Sequence, residues 1–437
     1  MQEPLQSESL VELRRLKRLE ERRKRKLHIR IVLVVLLIIA VLSAILIFRS
    51  CSRKKGAAAP VDTSAEPSQS VMAEIPAEPD TVIHIAAVGD IMIHDDLLTD
   101  THRETGGYDF TENFAAVSAY TVSADLTLGN LELNFCGEPY CGKPSYRAPE
   151  SLAMTLAGLG FDVLQTANSC SIQNGLTGLE STIRVLDAAG IDHVGTYASP
   201  EEKAENAGVL LRTVSGVKVA ILGYTKGLNG LSLPEGSEYA VNLLYTDYAT
   251  DFSKIAEASL LRDLEAAKAL SPDIIIAMLH WGSEADRAVT KTQEAITTLL
   301  FENGVDAIIG SHSHLAGPME TQTVTTVDGK EKTCFVAYSL GNFFSGMNSS
   351  LAYGCEESVI LDLQFTKNGE TGDCALSGIS YTPIYLSDQG EEAQPRFLVL
   401  PIRSAIISGL FPDLNQTLTD AIAHLRTSTD SDFDSGR

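Results

Sequence analysis

Six short apolar runs in this chain end directly in side chains that bind metal ions. AAV runs into Gly89-Asp90, LTLG into Asn130-Leu131-Glu132, and DVLQTA into Asn168-Ser169-Cys170. IIIAML runs into His280-Trp281-Gly282-Ser283-Glu284, DAIIG into Ser311-His312-Ser313-His314, and FVAYSL into Gly341-Asn342. Each run reads as a strand, and in open α/β sheets ligands gather beyond the carboxyl ends of strands. One edge would then collect carboxylates, imidazoles and amides, a ligand set for hard or borderline divalent cations. Such an ion generates hydroxide near neutral pH and polarises the bond under attack. Taken singly, each residue has a plainer reading. His312 and His314, two apart, share a strand face by alternation alone, and Asp90 or Glu132 would serve equally as a helix cap. The signal is that so many junctions carry the same chemistry.

The elements that must position these residues alternate between apolar runs and amphipathic stretches from residue 80 onward, the pattern of crossover units on a buried sheet. Strands are expected at 82–88, 125–129, 162–167, 217–223, 273–279, 305–310 and 335–340. Helices are expected at 177–189, ending at Gly190, and at 253–270. Segment 356–388 reads as a hairpin turning near 367–370, and 426–437 as a frayed tail. The 437 residues and an apolar fraction of 44% allow a substantial core.

Charge is unevenly spread. Residues 1–55 carry 14 Lys+Arg against 5 Asp+Glu, a net of +9, so the rest carries −32 of the formal −23. That polyanionic bulk excludes nucleic acid as a general partner. Within the basic end lies Ile31 to Phe48, with Ser43 as its one polar residue. As a helix it would be about 27 Å long, enough to cross the hydrocarbon of a bilayer. The cationic flank before Ile31 places the N-terminus in the cytoplasm and the remainder outside. Phe48-Arg49-Ser50-Cys51 is a poor cleavage site, which favours an uncleaved anchor over a signal peptide. The expected organisation is a basic cytoplasmic segment at 1–30, a transmembrane helix at 31–48, a flexible Ala/Pro/Ser/Glu-rich linker at 49–79, the main domain at 80–347 and a C-terminal extension at 348–437 that completes the sheet. Of the seven cysteines, Cys136 and Cys141 bracket a Gly/Pro loop that a bridge would close, and Cys334, Cys355 and Cys374 offer a second pair.

The motif series from 82 to 347 resembles the bacterial capsule-synthesis CapA (poly-gamma-glutamate capsule) family, a branch of the calcineurin-like metallophosphoesterases. GDIMIH at 89–94, NLE at 130–132, HWGSE at 280–284, GSHSHLAGPME at 310–320 and YSLGNF at 338–343 carry the resemblance. It implies a calcineurin-like four-layer α/β/β/α sandwich. It implies Asp90, His280, His312 and His314 as metal ligands, with Glu132 at the place of a metal-bridging carboxylate. One or two divalent ions (Mn, Zn or Fe) would be held, with Trp281, Glu284, Asn130 and Asn342 lining the pocket.

One motif departs. The family pattern reads Ala-Asn-Asn-His followed by Asp and Gly, whereas this chain has TANSCSIQNG at 166–175. Asn168 remains. Ser169 takes the place of a ligand Asn, Cys170 that of a catalytic His, and Gln173 that of Asp. Cys170 is left as a quiet thiol, a soft metal ligand or a nucleophile. His84, His94, His102, His193 and His424 read as ordinary surface or core histidines. The resemblance implies a membrane-anchored factor in synthesis, release or anchoring of a capsule polymer such as poly-gamma-glutamate, working with that polymer or its synthesis machinery through a metal-dependent hydrolase site. The altered 168–173 motif points to the alternative, a non-catalytic scaffold or polymer-binding member. A general phosphoesterase is a third reading. Oligomeric state is left open by the sequence.

Overall fold

The computed structural model describes residues 79–436, with no side chain described for Asn206. The basic segment, the expected transmembrane helix and nearly all of the linker lie outside the described residues. Among the described residues no helix is long and apolar enough to cross a membrane.

Two mixed sheets face one another. The first has the order β14-β13-β12-β1-β2-β3-β4, with β11 pairing in parallel with β1. Its strands are β1 (Thr81–Ile91), β2 (Leu126–Leu131), β3 (Val163–Gln165), β4 (Asp192–Val194), β11 (Asn342–Phe344), β12 (Glu357–Lys367), β13 (Cys374–Asp388) and β14 (Phe397–Pro401). The second has the order β5-β6-β7-β8-β10-β9. It is built from β5 (Leu210–Val214), β6 (Val217–Thr225), β7 (Ile274–His280), β8 (Ala307–Ser311), β9 (Met319–Thr325) and β10 (Glu331–Ala337). Every expected strand is present, and the expected hairpin is β12 and β13, with its turn at 368–373.

The apolar runs are continuous because both faces of each sheet are buried. On β6 and β7, Val219, Ile221, Ile274 and Ile276 face the first sheet, meeting Ile83, Ile85, Leu126 and Leu128. Their alternates Ala220, Leu222, Ile275 and Ala277 face outward onto Leu260 and Leu264 of helix Glu257–Ala269 and Ile296 and Leu300 of helix Lys291–Glu302. The outer face of the first sheet, through Val88, Ile91, Leu131 and Leu164, packs on Leu152 and Leu156 of helix Ser151–Gly158 and Leu186 of helix Gly175–Ala189. The result is helices, sheet, sheet, helices, the α/β architecture the resemblance implies. Helix boundaries follow local signals. Thr290 and Gln293 form a reciprocal capping box, and Gly190 takes the left-handed conformation (φ 76°) that ends Gly175–Ala189.

The tail expected to fray from 426 is instead held. Helix Asn415–Ser428 buries Leu418, Ala421 and Leu425 in the inter-sheet core, and buried Asp434 receives Arg403 and, at 3.0 Å, Arg426. Sequence periodicity there is weak because only one narrow stripe of that helix meets the core. The expected bridges are also absent among the described residues: Cys136, Cys141, Cys170, Cys334, Cys355 and Cys374 are all free thiols. The Cys136–Cys141 loop is closed by other means, since the Arg147 guanidinium donates to the carbonyls of Cys136, Gly137 and Glu138.

Candidate metal centre

Strand register assembles the site. In the first sheet Asn342, Asp90 and Asn130 stand side by side on β11, β1 and β2. In the second, Thr225, His280 and Ser311 stand side by side on β6, β7 and β8. Asp90, Asn130, Thr225, His280 and Ser311 lie at or next to the carboxyl ends of their strands, and Asn342 opens β11 beside Asp90, so the two sheet edges face each other across one small volume. Two glycines permit the approach. A Cβ on Gly89 would fall 1.8 Å from Gly341 O, and one on Gly310 would fall 2.1 Å from Tyr338 O. Next to Asn342, Phe343 stacks on Phe114 with centroids 5.5 Å apart, a contact worth about 0.5–1.5 kcal/mol that fixes the end of β11.

His312 and His314 follow β8 with φ of 101° and 60°. They are therefore not on a strand, and the shared-face reading from strand alternation does not apply. Left-handed backbone at a non-glycine residue costs on the order of 1–3 kcal/mol and is tolerated where function fixes it. His314 Nδ1 lies 3.0 Å from Asp90 Oδ2 and 3.1 Å from Asn342 Oδ1. Asp90 Oδ1 accepts from Asn130 Nδ2 at 2.7 Å. Asn130 Oδ1 in turn accepts from Asn168 Nδ2 at 3.1 Å, which also donates to Leu131 O. Neither Asp90 nor Glu132 caps a helix. On the opposite side, His280 Nδ1 is 3.1 Å from Ser311 Oγ, while its Nε2 is 3.0 Å from Ser169 Oγ and 3.5 Å from Glu132 Oε1. The His280 and His312 rings sit 4.4 Å apart.

Nearly all of this is buried, and burial sets the protonation. It pushes the Glu132 carboxyl well above the usual carboxylate range, with Asp90 and Glu284 adding to the shift and His314 opposing it. Burial, then neighbouring cationic groups, holds His280 and His312 well below their ordinary value, so both are neutral imidazoles, the form that binds metals. Burial opposes charge on His314 too, but the Asp90 hydrogen bond and the charges of Asp90, Glu132 and Glu284 outweigh it and lift the group to about 9.

The donor set fits a divalent ion. Glu132, His280 and His312 offer ligand atoms within 4.8 Å of one another, as do Asp90, Glu132 and His314, and Glu284, His312 and His314. Glu132 Oε2 and His312 Nδ1 are buried without hydrogen-bond partners. Buried polar atoms are rarely left so unless something else satisfies them. The sequence-predicted residues thus come together, with differences of rank. Ser169 Oγ lies 3.0 Å from His280 Nε2, on the ring of one of the candidate ligands. Cys170 is buried, its thiol pushed well up by burial and then by the charges of Glu132, Glu284 and Asp90, so it stays protonated. Trp281 packs behind the site, donating to Tyr338 O and stacking on the Tyr338 ring. Glu284 is exposed at the mouth.

Three further residues reach the site that residue patterns did not single out. His94 was read as an ordinary histidine. Its Nδ1 accepts from Gly346 N at 3.0 Å, and burial, with His314 among its neighbours, lowers its pKa. Its place four residues beyond Asp90 was the available signal. Lys226 follows β6, donates to Gly282 O and sits near His280 and His312. Tyr146 lies in the 134–147 loop, where the cues the sequence offers are glycines, prolines and the Cys136/Cys141 pair, none of which points to Tyr146.

Residues 84–347 match the model of the family described as "Bacterial capsule synthesis protein PGA_cap". The "Capsule biosynthesis protein CapA" of Bacillus anthracis is 26% identical over 268 residues, which is 59% of this chain and 58% of that protein. The "PGA biosynthesis protein CapA" of Bacillus subtilis (strain 168) is 24% identical over 300 residues, covering 66% of this chain and 70% of that one. The chain thus spans little more than half the length of the first of these relatives. Among solved structures, a phosphatase from Mycoplasma pneumoniae covers 70% of this chain and 94% of its own at 14% identity and a TM-score of 0.40, a likeness of outline only. With the family model covering more than half of its length, the chain belongs to the bacterial capsule synthesis protein PGA_cap family.

Proposed function

We propose that this chain is a membrane-anchored, extracytoplasmic protein acting in synthesis, release or anchoring of a capsule polymer such as poly-gamma-glutamate, through a divalent-metal hydrolase-type site. The observation that carries the reading is the convergence of Glu132, His280 and His312 around unpartnered Glu132 Oε2 and His312 Nδ1. The names of the Bacillus relatives support the polymer. The apolar run Ile31–Phe48 behind its cationic flank supports the anchor.

In this reading Asp90, Glu132, His280, His312 and His314 hold one or two ions. A bound divalent ion would supply hydroxide near neutral pH and polarise the scissile bond. The chain's own residues fix the rest. Asn130 holds Asp90 by one oxygen, and Asp90 with Asn342 fixes the His314 ring. Asn168 locks the 168–171 turn by accepting from Cys170 N and donating to Leu131 O. A net of −32 beyond residue 55 repels a polyanionic polymer, so contact with it requires cations at the mouth.

The second reading, a non-catalytic scaffold, is favoured by the protonated, buried Cys170 where the family pattern has an imidazole. Metal analysis of the purified protein, with a screen of phosphoester and gamma-glutamyl substrates, separates the two. A hydrolase binds metal and turns over at least one class, and His312→Ala with His314→Ala abolishes both metal-dependent thermal stabilisation and turnover. Metal binding without turnover of either class supports the scaffold. An unchanged metal-dependent shift in the double variant sinks the site itself. Topology has its own check: protease added to intact protoplasts should remove the C-terminal domain and spare the N-terminus, and survival of a C-terminal tag would refute the anchor.

A further inference from the structure

The 134–147 loop is a stiff tongue laid across the site. Asn134 N donates to Tyr146 O at 2.9 Å, Tyr146 N donates to Gly142 O at 2.8 Å, and Cys141 and Arg147 exchange backbone bonds. Asn174 stitches the tongue to the turn that carries Cys170, donating to Ser145 O at 2.7 Å and to Asn134 Oδ1 at 2.9 Å. The tip of the tongue is buried in the same apolar cluster as Cys170, the residue that stands where an imidazole is expected. That tip is Tyr146, only 7% exposed, with its backbone in the left-handed region at φ 45°. Its ring stands edge-on to His94, centroids 5.5 Å apart.

Among the described residues the Tyr146 hydroxyl makes no hydrogen bond, and it is not among the fully buried unpartnered atoms, so it keeps access to solvent or a ligand. Every other group in electrostatic contact with it belongs to the site: Cys170, Glu132 and Glu284. Burial, then those three groups, keeps it a neutral phenol, a donor rather than a phenolate. Glu132 Oε2 and His312 Nδ1 in the site are acceptors or ligands, whereas Tyr146 offers a proton. Cys170 is a weaker donor, since a thiol hydrogen-bonds poorly.

We propose that Tyr146 is a catalytic residue that hydrogen-bonds and protonates the leaving atom of a hydrolysed ester, the part that position 170 no longer plays. The inference rests on the hydrolase reading. As the scissile bond breaks, its electron pair stays on the leaving oxygen, which takes the Tyr146 proton. The attacking water keeps its oxygen on the cleaved group and releases one proton, which restores the phenol, so the sum is addition of water across the bond. A phenol held neutral suits alkoxide-like leaving groups, which need a proton, and adds nothing for 4-nitrophenolate, which leaves without one.

The test uses the full-length chain at matched metal content, as parent and Tyr146→Phe, which keeps the ring against His94. On an alkyl phosphoester kcat should fall about 10²-fold or more with KM nearly unchanged, while on the 4-nitrophenyl ester it should change less than about threefold. Equal losses on both esters, or none on either, overturn the proposal. Inorganic phosphate supplies a readout independent of turnover. Calorimetric affinity for it should drop about tenfold in Tyr146→Phe, the loss of one hydrogen bond to an anion. If the parent hydrolyses nothing, the hydrolase reading fails by itself. Phosphate affinity then decides whether Tyr146 faces a ligand: unchanged affinity, or no binding to the parent, rejects it.

Discussion

Ser169 Oγ stands 3.0 Å from His280 Nε2. The resembling motif carries an amide at this position, so the serine occupies the same edge of the imidazole with a shorter reach. One metal position should therefore be weaker than the other. Ser169→Asn should raise divalent-metal occupancy toward a second equivalent. Together with Cys170→His it should raise single-turnover hydrolysis by more than the product of the two single effects, because ligand and acid act as a unit. A general acid is worth about 10²–10⁴-fold where the rest of the site is intact. Four proteins at matched metal content check this. A double variant slower than a fast parent would make Cys170 a working residue.

The sequence showed the site's ligands more plainly than its geometry. Strand ends were legible because β7 and β8 are buried on both faces and so are uniformly apolar up to the first polar residue. His280 and His312 were found for that reason, and Asp90 from the buried apolar end of β1. β4 and β11 span three residues each, and β14 five, too short to show a period, and all three went unread. Tyr146 was invisible because its position depends on the Arg147 fork and on Asn174, contacts between residues that no pattern links. The free thiols of Cys136 and Cys141 make the same point. Spacing suggested a bridge, while the Arg147 guanidinium, donating to the carbonyls of Cys136, Gly137 and Glu138, holds the loop instead.

Glu132 should act in opposite directions on metal binding and on metal-free stability. Its carboxyl is buried with Oε2 unpartnered, and burial raises its pKa well above normal. A group of this kind weakens the fold as pH rises above the ordinary carboxylate value, because the unfolded chain then ionises more easily. Glu132→Gln should therefore leave metal-free stability near that of the parent at pH 4. At pH 8 it should increase stability by about 1–3 kcal/mol, the usual cost of an unsatisfied buried polar group. The same variant should lose most of its metal affinity. Denaturant melts of chelator-treated protein at both pH values check the first part. A variant less stable than the parent at pH 8 would contradict the reading of Glu132 as a strained, ion-ready carboxylate.

Metal uptake should depend on pH through His314 rather than through the other histidines. His280 and His312 lie well below their ordinary value and are already neutral at pH 7, so no proton competes with an ion there. His314 is lifted to about 9 and so carries a proton at neutral pH in the metal-free protein. A raised histidine of this type stabilises the fold fully below its unfolded value, and that contribution is lost as pH rises through about 9. An ion that takes His314 as a ligand must expel this proton. Apparent metal affinity should then climb about tenfold per pH unit between pH 6.5 and pH 8.5, and flatten above about 9. Titration calorimetry at pH 7 in two buffers of different ionisation enthalpy should report at least one proton released per ion. His314→Gln should remove both the release and the slope, at the cost of weaker binding. Equal heats in the two buffers for the parent would show that His314 gives up no proton, and would place the ion on His280, His312 and Glu132 without it.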